Sequence, residues 1–172
     1  KVQQFELDDF LLLNEQDVSE YTHAFSCLGT TMKQAGSKEN FYNTDFAINA
    51  HFAELLENME THFILLSALG ANPKSPIFYN RVKGELEYYV KSLSLYRTSI
   101  IRPSLLLGQR KEQRMLEDAT QKLYQRFSHL VPNSFKYKPV TAEQVAHTMV
   151  DVASTQTEKF QIYDNLRIQK TK

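Results

Sequence analysis

The chain has 172 residues, 42% of them hydrophobic and 23% charged, with 20 basic and 20 acidic side chains. Such a composition fits one compact domain with a packed core and excludes a disordered chain. A formal net charge of zero gives no electrostatic footprint for nucleic acid or an anionic membrane surface.

No apolar run approaches the roughly 20 residues that span a bilayer. Lys1 to Phe10 lacks the basic start and small-residue cleavage site of a signal peptide. Cys27 is the only cysteine, so no internal disulfide can form. That suits a reducing compartment, and cytoplasm is the expected location.

In chain order, Val2 to Leu7 reads as a short strand and Asn14 to Tyr21 as a short helix or loop. His23 to Leu28 is compact and apolar, ends at Gly29, and predicts a buried strand. Thr30 to Lys38 reads as a loop. Asn40 to Met59 carries Phe41, Ala47, Ala50, Ala53 and Leu56 near helical spacing and predicts a helix. Phe63 to Leu66 is a second buried strand, and Asn72 to Pro76 is a loop.

Phe78 to Leu93 predicts a strong helix, because Phe78, Val82, Leu86, Val90 and Leu93 form one apolar stripe. Thr98 to Ile101 is a third strand, closed by Arg102-Pro103. Glu112 to Leu130 reads as a polar amphipathic helix and Lys138 to Val140 as a short strand. Thr141 to Gln144 has the capping-box pattern and opens a helix through Ala153. Lys159 to Tyr163 is the last strand.

Short apolar strands separated by long helices imply an α/β fold with a parallel sheet covered on both faces. Ligands of such sheets sit beyond the carboxyl ends of the strands. Those ends are Leu28-Gly29-Thr30, Ser67-Ala68 and Arg102-Pro103-Ser104.

Tyr79 and Lys83 lie four residues apart on a helix, hence on one face. A free phenol, with a pKa of about 10, is a poor acid or base near neutrality. A nearby ammonium favours the phenolate and lowers that value, so the tyrosine can exchange a proton with a carbonyl or alcohol. Ser67, ending the preceding strand, supplies a hydroxyl to orient the same oxygen. Alone, a Tyr-x-x-x-Lys pair is more often a core-edge tyrosine beside a solvated lysine. The strand-terminal serine and the α/β context raise this one above that.

Phe63 to Gly108, FILLSALGANPKSPIFYNRVKGELEYYVKSLSLYRTSIIRPSLLLG, resembles the extended and atypical short-chain dehydrogenase/reductases. It is most similar to the branch of NmrA-like proteins and Tat-interacting tumour-suppressor oxidoreductases. Cys27-Leu-Gly-Thr-Thr31 resembles that branch's fourth-strand end. The resemblance covers residues 20 to 110 well and the rest loosely.

It implies a Rossmann-like NAD(P)-binding domain over 1–172, with 109–172 supplying the substrate-side and C-terminal elements. It implies NAD(P)-dependent hydride transfer to or from a small carbonyl or alcohol, with NADP preferred over NAD. Tyr79 would be the general acid/base, Lys83 would lower its pKa and bind the nicotinamide ribose, and Ser67 would position the substrate carbonyl. Leu28, Gly29 and Thr30 would pass beside the cofactor, and Pro103, Ser104 and Leu105 would contact its nicotinamide end.

The family opens with a glycine-rich turn that holds the pyrophosphate. No glycine precedes Gly29 here. Compared with the family, the chain is expected to lack the first β-α-β unit. If so, the alternative is a non-catalytic NAD(P)H sensor or interaction scaffold with a vestigial site.

The expected partner is a small-molecule substrate, with neither nucleic acid nor membrane, and a homodimer is the candidate assembly. No metal site is expected, because no histidine pair has H-x-x-x-H spacing and Cys27 has no cysteine partner. Cys27 reads as a packing residue in a buried strand. Tyr88 and Tyr89 read as a partly exposed helix face or a contact with a partner.

Overall fold

The computed structural model describes residues 4, 6, 7, 9–107 and 135–171. Four strands form a wholly parallel sheet: β1 (His23–Ser26), β2 (His62–Leu66), β3 (Arg97–Arg102) and, last in the chain, β6 (Phe160–Asp164). Their spatial order is β1-β2-β3-β6, so sequence neighbours lie side by side. Two further short strands, β4 (Leu106–Leu107) and β5 (Val140–Thr141), pair in parallel beside it.

Strand geometry divides the core into two layers. Successive side chains point to opposite faces. Phe63, Leu65 and Ile100 therefore face one cluster, with Ala50, Ala53, Leu56, Leu86 and Val90. Ile64 and Ile101 face the other, with Val145, Met149, Val152 and Tyr163. Helices α4 (Ile48–Glu54) and α5 (Phe78–Ser92) cover the first face, and α6 (Ala142–Thr155) covers the second. This is the α/β architecture expected from the apolar runs.

The helix α6 begins where its sequence says it should. The Thr141 hydroxyl oxygen accepts from Gln144 N at 3.1 Å, and Gln144 Oε1 accepts from Thr141 N at 3.0 Å. The short helix α1 (Glu15–Val18) has the same reciprocal cap, from Asn14 and Asp17. A last helix, α7 (Asn165–Ile168), follows β6 directly.

Four expectations change. The stretch 30–38 is not all loop: Thr31 caps a short helix α2 (Met32–Ala35), and Gly36 ends it in the left-handed region at φ 73°. The helix predicted over Asn40 to Met59 is three segments: α3 (Lys38–Tyr42), a π-helical turn (Asn43–Ala47) and α4. Apolar spacing reads the same for α and π winding over one turn, so the sequence pattern did not separate them.

Strand β1 is an edge strand in the described sheet, with alternating exposure rather than two buried faces. Cys27, just past its end, is exposed and does not pack in the core. Of the strand expected over Val2 to Leu7, half lies outside the described residues and the described ones, Gln4, Glu6 and Leu7, are in no strand; the helix over Glu112 to Leu130 falls wholly outside the described residues.

Candidate functional site

Because β1, β2 and β3 are parallel, their carboxyl ends share one edge of the sheet, and α5 packs on the adjoining face. Ser67 follows β2 directly, and its N–H donates to Ile101 O at 2.8 Å. Leu69 N donates to Pro103 O at 2.9 Å, which ties the two strand ends together. Gly84 lets α5 approach the loop after β2: a methyl there would fall 2.2 Å from the Asn72 carbonyl carbon. Asn72 N also donates to Asn80 O at 2.9 Å.

Along α5, Tyr79, Lys83 and Glu87 recur every four residues and share one face. Tyr79 is 38% exposed, whereas Lys83 and Glu87 are each 5% exposed. Buried charges need partners, and both have one. Lys83 Nζ lies 2.7 Å from Asp45 Oδ1. Glu87 forms a bidentate pair with Arg102 and also accepts the Ser67 hydroxyl.

Asp45 is 1% exposed and belongs to the π-helical turn. Its Oδ2 accepts from Thr30 N at 2.8 Å, while Oδ1 has the Lys83 charge beside it without a directed hydrogen bond. The Asn49 amide donates to the carbonyls of Thr44 and Asp45 at 3.1 and 3.3 Å. Its Oδ1 accepts from Ser26 Oγ of β1. The carbonyls that π winding displaces are thus satisfied, and Asp45 is held inward. A methyl at Gly29 would lie 3.1 Å from Asp45 Oδ1 and 3.5 Å from Lys83 Nζ, so the first strand end closes on the same group.

The electrostatics differ from the sequence expectation. The Tyr79 phenol is held above its ordinary value, by burial first and by the Asp45 charge second. The lowering that Lys83 was expected to produce is not what this arrangement gives, because the ammonium is matched by a carboxylate. Ser67 likewise has its hydroxyl donated to Glu87 rather than left open toward a substrate oxygen.

Gly29, Thr30 and Lys83 therefore meet through Asp45. Ser67 joins α5 through Glu87. Pro103 is buried, and Leu105 is 64% exposed. Ser104 is engaged in structure: its N–H donates to Asn165 Oδ1 at 2.8 Å and its hydroxyl to Lys138 O at 2.7 Å.

Asp45 and Glu87 escaped the sequence reading, yet each carried a signal. Glu87 continues the four-residue spacing of Tyr79 and Lys83. Asp45 stands between Phe41 and Asn49 at the same spacing, a carboxylate on a buried helix face.

Among the described residues no group of three or more His, Cys, Asp or Glu is placed to hold a metal ion. No described helix is long and apolar enough to cross a membrane.

No family model matches the chain. Solved structures match its fold. UDP-glucuronic acid 4-epimerase from Bacillus cereus, in complex with NAD, aligns with a TM-score of 0.61 at 12% identity, over 94% of this chain and 60% of its own. The dTDP-4-dehydrorhamnose reductase of Bacillus anthracis, in complex with NADP, aligns with a TM-score of 0.60 at 16% identity, over 87% and 59%. At such identities the likeness establishes the Rossmann-like fold and nothing finer.

Sequence relatives go further. Protein FMP52-1, mitochondrial, of Scheffersomyces stipitis is 33% identical over 92% of this chain and 70% of its own length. Protein FMP52, mitochondrial, of Debaryomyces hansenii is 39% identical over 76% and 58%. Across these two relatives the matched region spans 58% to 70% of the relative.

Their names correct the cytoplasmic expectation, since relatives in several fungi are mitochondrial proteins. A chain without disulfides fits any reducing compartment, and cysteine usage does not tell one from another. The matched relatives are FMP52 proteins rather than NmrA-like ones. With a third of its residues shared over most of both lengths, the chain belongs to the FMP52 family.

Proposed function

We propose that the protein is a mitochondrial NAD(P)-dependent oxidoreductase of the short-chain dehydrogenase/reductase type, acting on a small carbonyl or alcohol. One observation carries this reading. Tyr79 and Lys83 share a face of α5 at the carboxyl ends of a parallel sheet, with Ser67 ending β2 and side-chain-free Gly29 following β1. Resemblance of the Phe63 to Gly108 stretch to the extended and atypical short-chain dehydrogenase/reductases supports it, as do the NAD and NADP complexes of the structural neighbours.

The residues present fit the nicotinamide-ribose end of such a cofactor. Gly29 leaves the Asp45–Lys83 pair with no side chain over it, and an ammonium has three N–H donors, more than the one facing Asp45. Leu28, Thr30, Pro103, Ser104 and Leu105 would line the same side. A bound nicotinamide supplies or accepts the hydride. Tyr79 moves the proton at the substrate oxygen, Lys83 holds the ribose, and Ser67 orients the carbonyl once its hydroxyl turns from Glu87.

The test uses the full-length protein. NADPH and NADH are titrated separately while thermal stability is followed; a ligand at about 100 times its dissociation constant adds about 2.7 kcal/mol. Tyr79→Phe should then abolish turnover of a carbonyl substrate with nucleotide affinity nearly unchanged. Full activity of that variant would remove Tyr79 from the mechanism.

A second reading has its own observation. Lys83 and Ser67 are both taken up by carboxylates, Asp45 and Glu87. A non-catalytic nucleotide sensor or scaffold would keep them so. Nucleotide binding without turnover, unchanged by Tyr79→Phe, would favour it.

A further inference from the structure

We propose that Asp45 is a positioning residue of the Tyr79 site: its carboxylate gathers the Lys83 ammonium and the Thr30 N–H, so that Lys83 acts on Tyr79 as half of an ion pair and not as a free charge. This rests on the oxidoreductase reading and adds a residue to it.

The geometry comes from three separate parts of the chain. Asp45 leaves the π-helical turn, Lys83 leaves α5, and Thr30 follows β1. The contacts are 2.7 Å to Nζ and 2.8 Å to the Thr30 nitrogen. Asp45 is 1% exposed and Lys83 5%, so the pair is out of water and its charges are poorly screened. Asn49 and Ser26 brace the turn from behind.

An ammonium already matched by a carboxylate cannot act as a bare positive charge on the tyrosine. Burial and the Asp45 charge both favour the neutral phenol.

Other charged groups lie around this face among the described residues. Lys38 of α3 and Arg81 of α5 sit 5.4 and 5.6 Å from the Phe78 ring centre. The Phe41 ring meets Tyr79 edge-on at 5.8 Å. The Glu87–Arg102 pair stands on the Ser67 side.

The step balances as a reduction. The phenol gives its proton to the carbonyl oxygen as the C=O π bond opens. A reduced nicotinamide, the co-reactant, would supply the hydride of the new C–H bond and would itself be oxidised. The phenolate takes a proton back from solvent.

The experiment labels the full-length, nucleotide-free protein with [13Cζ]tyrosine and follows each resonance against pH, with Tyr79 assigned by its loss in Tyr79→Phe. Tyr79 should titrate above the ordinary tyrosine value of about 10. In Asp45→Asn, which keeps an oxygen for the Thr30 N–H but loses the charge, the Tyr79 midpoint should move down as Lys83 is released from its counter-charge.

A wild-type midpoint at or below the ordinary tyrosine value overturns the proposal, and so does an unmoved midpoint in Asp45→Asn. Should Asp45→Asn not fold, Asp45→Ser, which also removes the charge, is read in the same way. Failure of NADH and NADPH to shift thermal stability overturns the oxidoreductase reading instead, and that readout is independent of tyrosine titration.

Discussion

His62 makes acid sensitivity a quantitative consequence of the fold. It opens β2, is 1% exposed, and stands 2.8 Å through Nε2 from Ser99 Oγ. Ser99 donates its own proton to Gln156 Oε1, so the His62 bond must run from Nε2–H to the serine. Gln156 completes the chain by donating to Thr98 O at 2.9 Å and Glu158 O at 2.7 Å.

Nδ1 then carries no proton and has no hydrogen-bond partner among the described residues. Charging the ring would place a proton there, and the Ala153 carbonyl offsets only part of the cost of burying that charge. Burial foremost, then the charges of Arg97 and His23, lowers the His62 pKa from 6.5 to about 4.

The sign follows from proton counting. Between about pH 6.5 and 4 the unfolded chain binds the proton and the folded one does not, so stability falls as pH falls through that window and levels off below it. At 1.36 kcal/mol per pH unit the loss reaches about 3 kcal/mol.

Urea denaturation of wild type and His62→Gln, at pH values from 7.5 down to 4, isolates this contribution because the other titrating groups are common to both. The difference in stability between the two should change by about 3 kcal/mol across the window. Curves that fall in parallel would refute the reasoning.

Two further substitutions test the scaffold of the site. Gly84→Ala sets a methyl 2.2 to 2.4 Å from the Asn72–Pro73 backbone, and overpacking of about 1–3 kcal/mol should outweigh the gain of about 1 kcal/mol in helix propensity. Equal or greater stability in urea would contradict that close approach. Glu87→Gln removes the charge that Arg102 pairs with and should cost about 2 kcal/mol, since Arg102 is only partly buried. A denaturation midpoint equal to wild type would show the pair to be energetically idle.

The sequence by itself determined the frame. Phe63 to Leu66 and Thr98 to Ile101 are apolar runs too short for helices, and they form the two central strands. The stripe from Phe78 to Leu93 set α5, and the Thr141 box set the start of α6, because capping and periodicity act within a few residues. The four-residue spacing of Tyr79 and Lys83 put them on one face for the same reason.

Only the tertiary structure decided what those side chains face. Asp45 reaches Lys83 across 38 residues of sequence, and Glu87 reaches Ser67 across 20. No local pattern encodes either distance. The π turn that turns Asp45 inward is stabilised by Asn49, whose own oxygen is fixed by Ser26 on another element. Cys27 lay in an apolar run yet is exposed, because β1 is at the edge of the described sheet. Local periodicity fixed where Tyr79 and Lys83 stand on their helix. The charge on that face depends on groups brought in through space, and these made the tyrosine's partner an ion pair rather than a free ammonium.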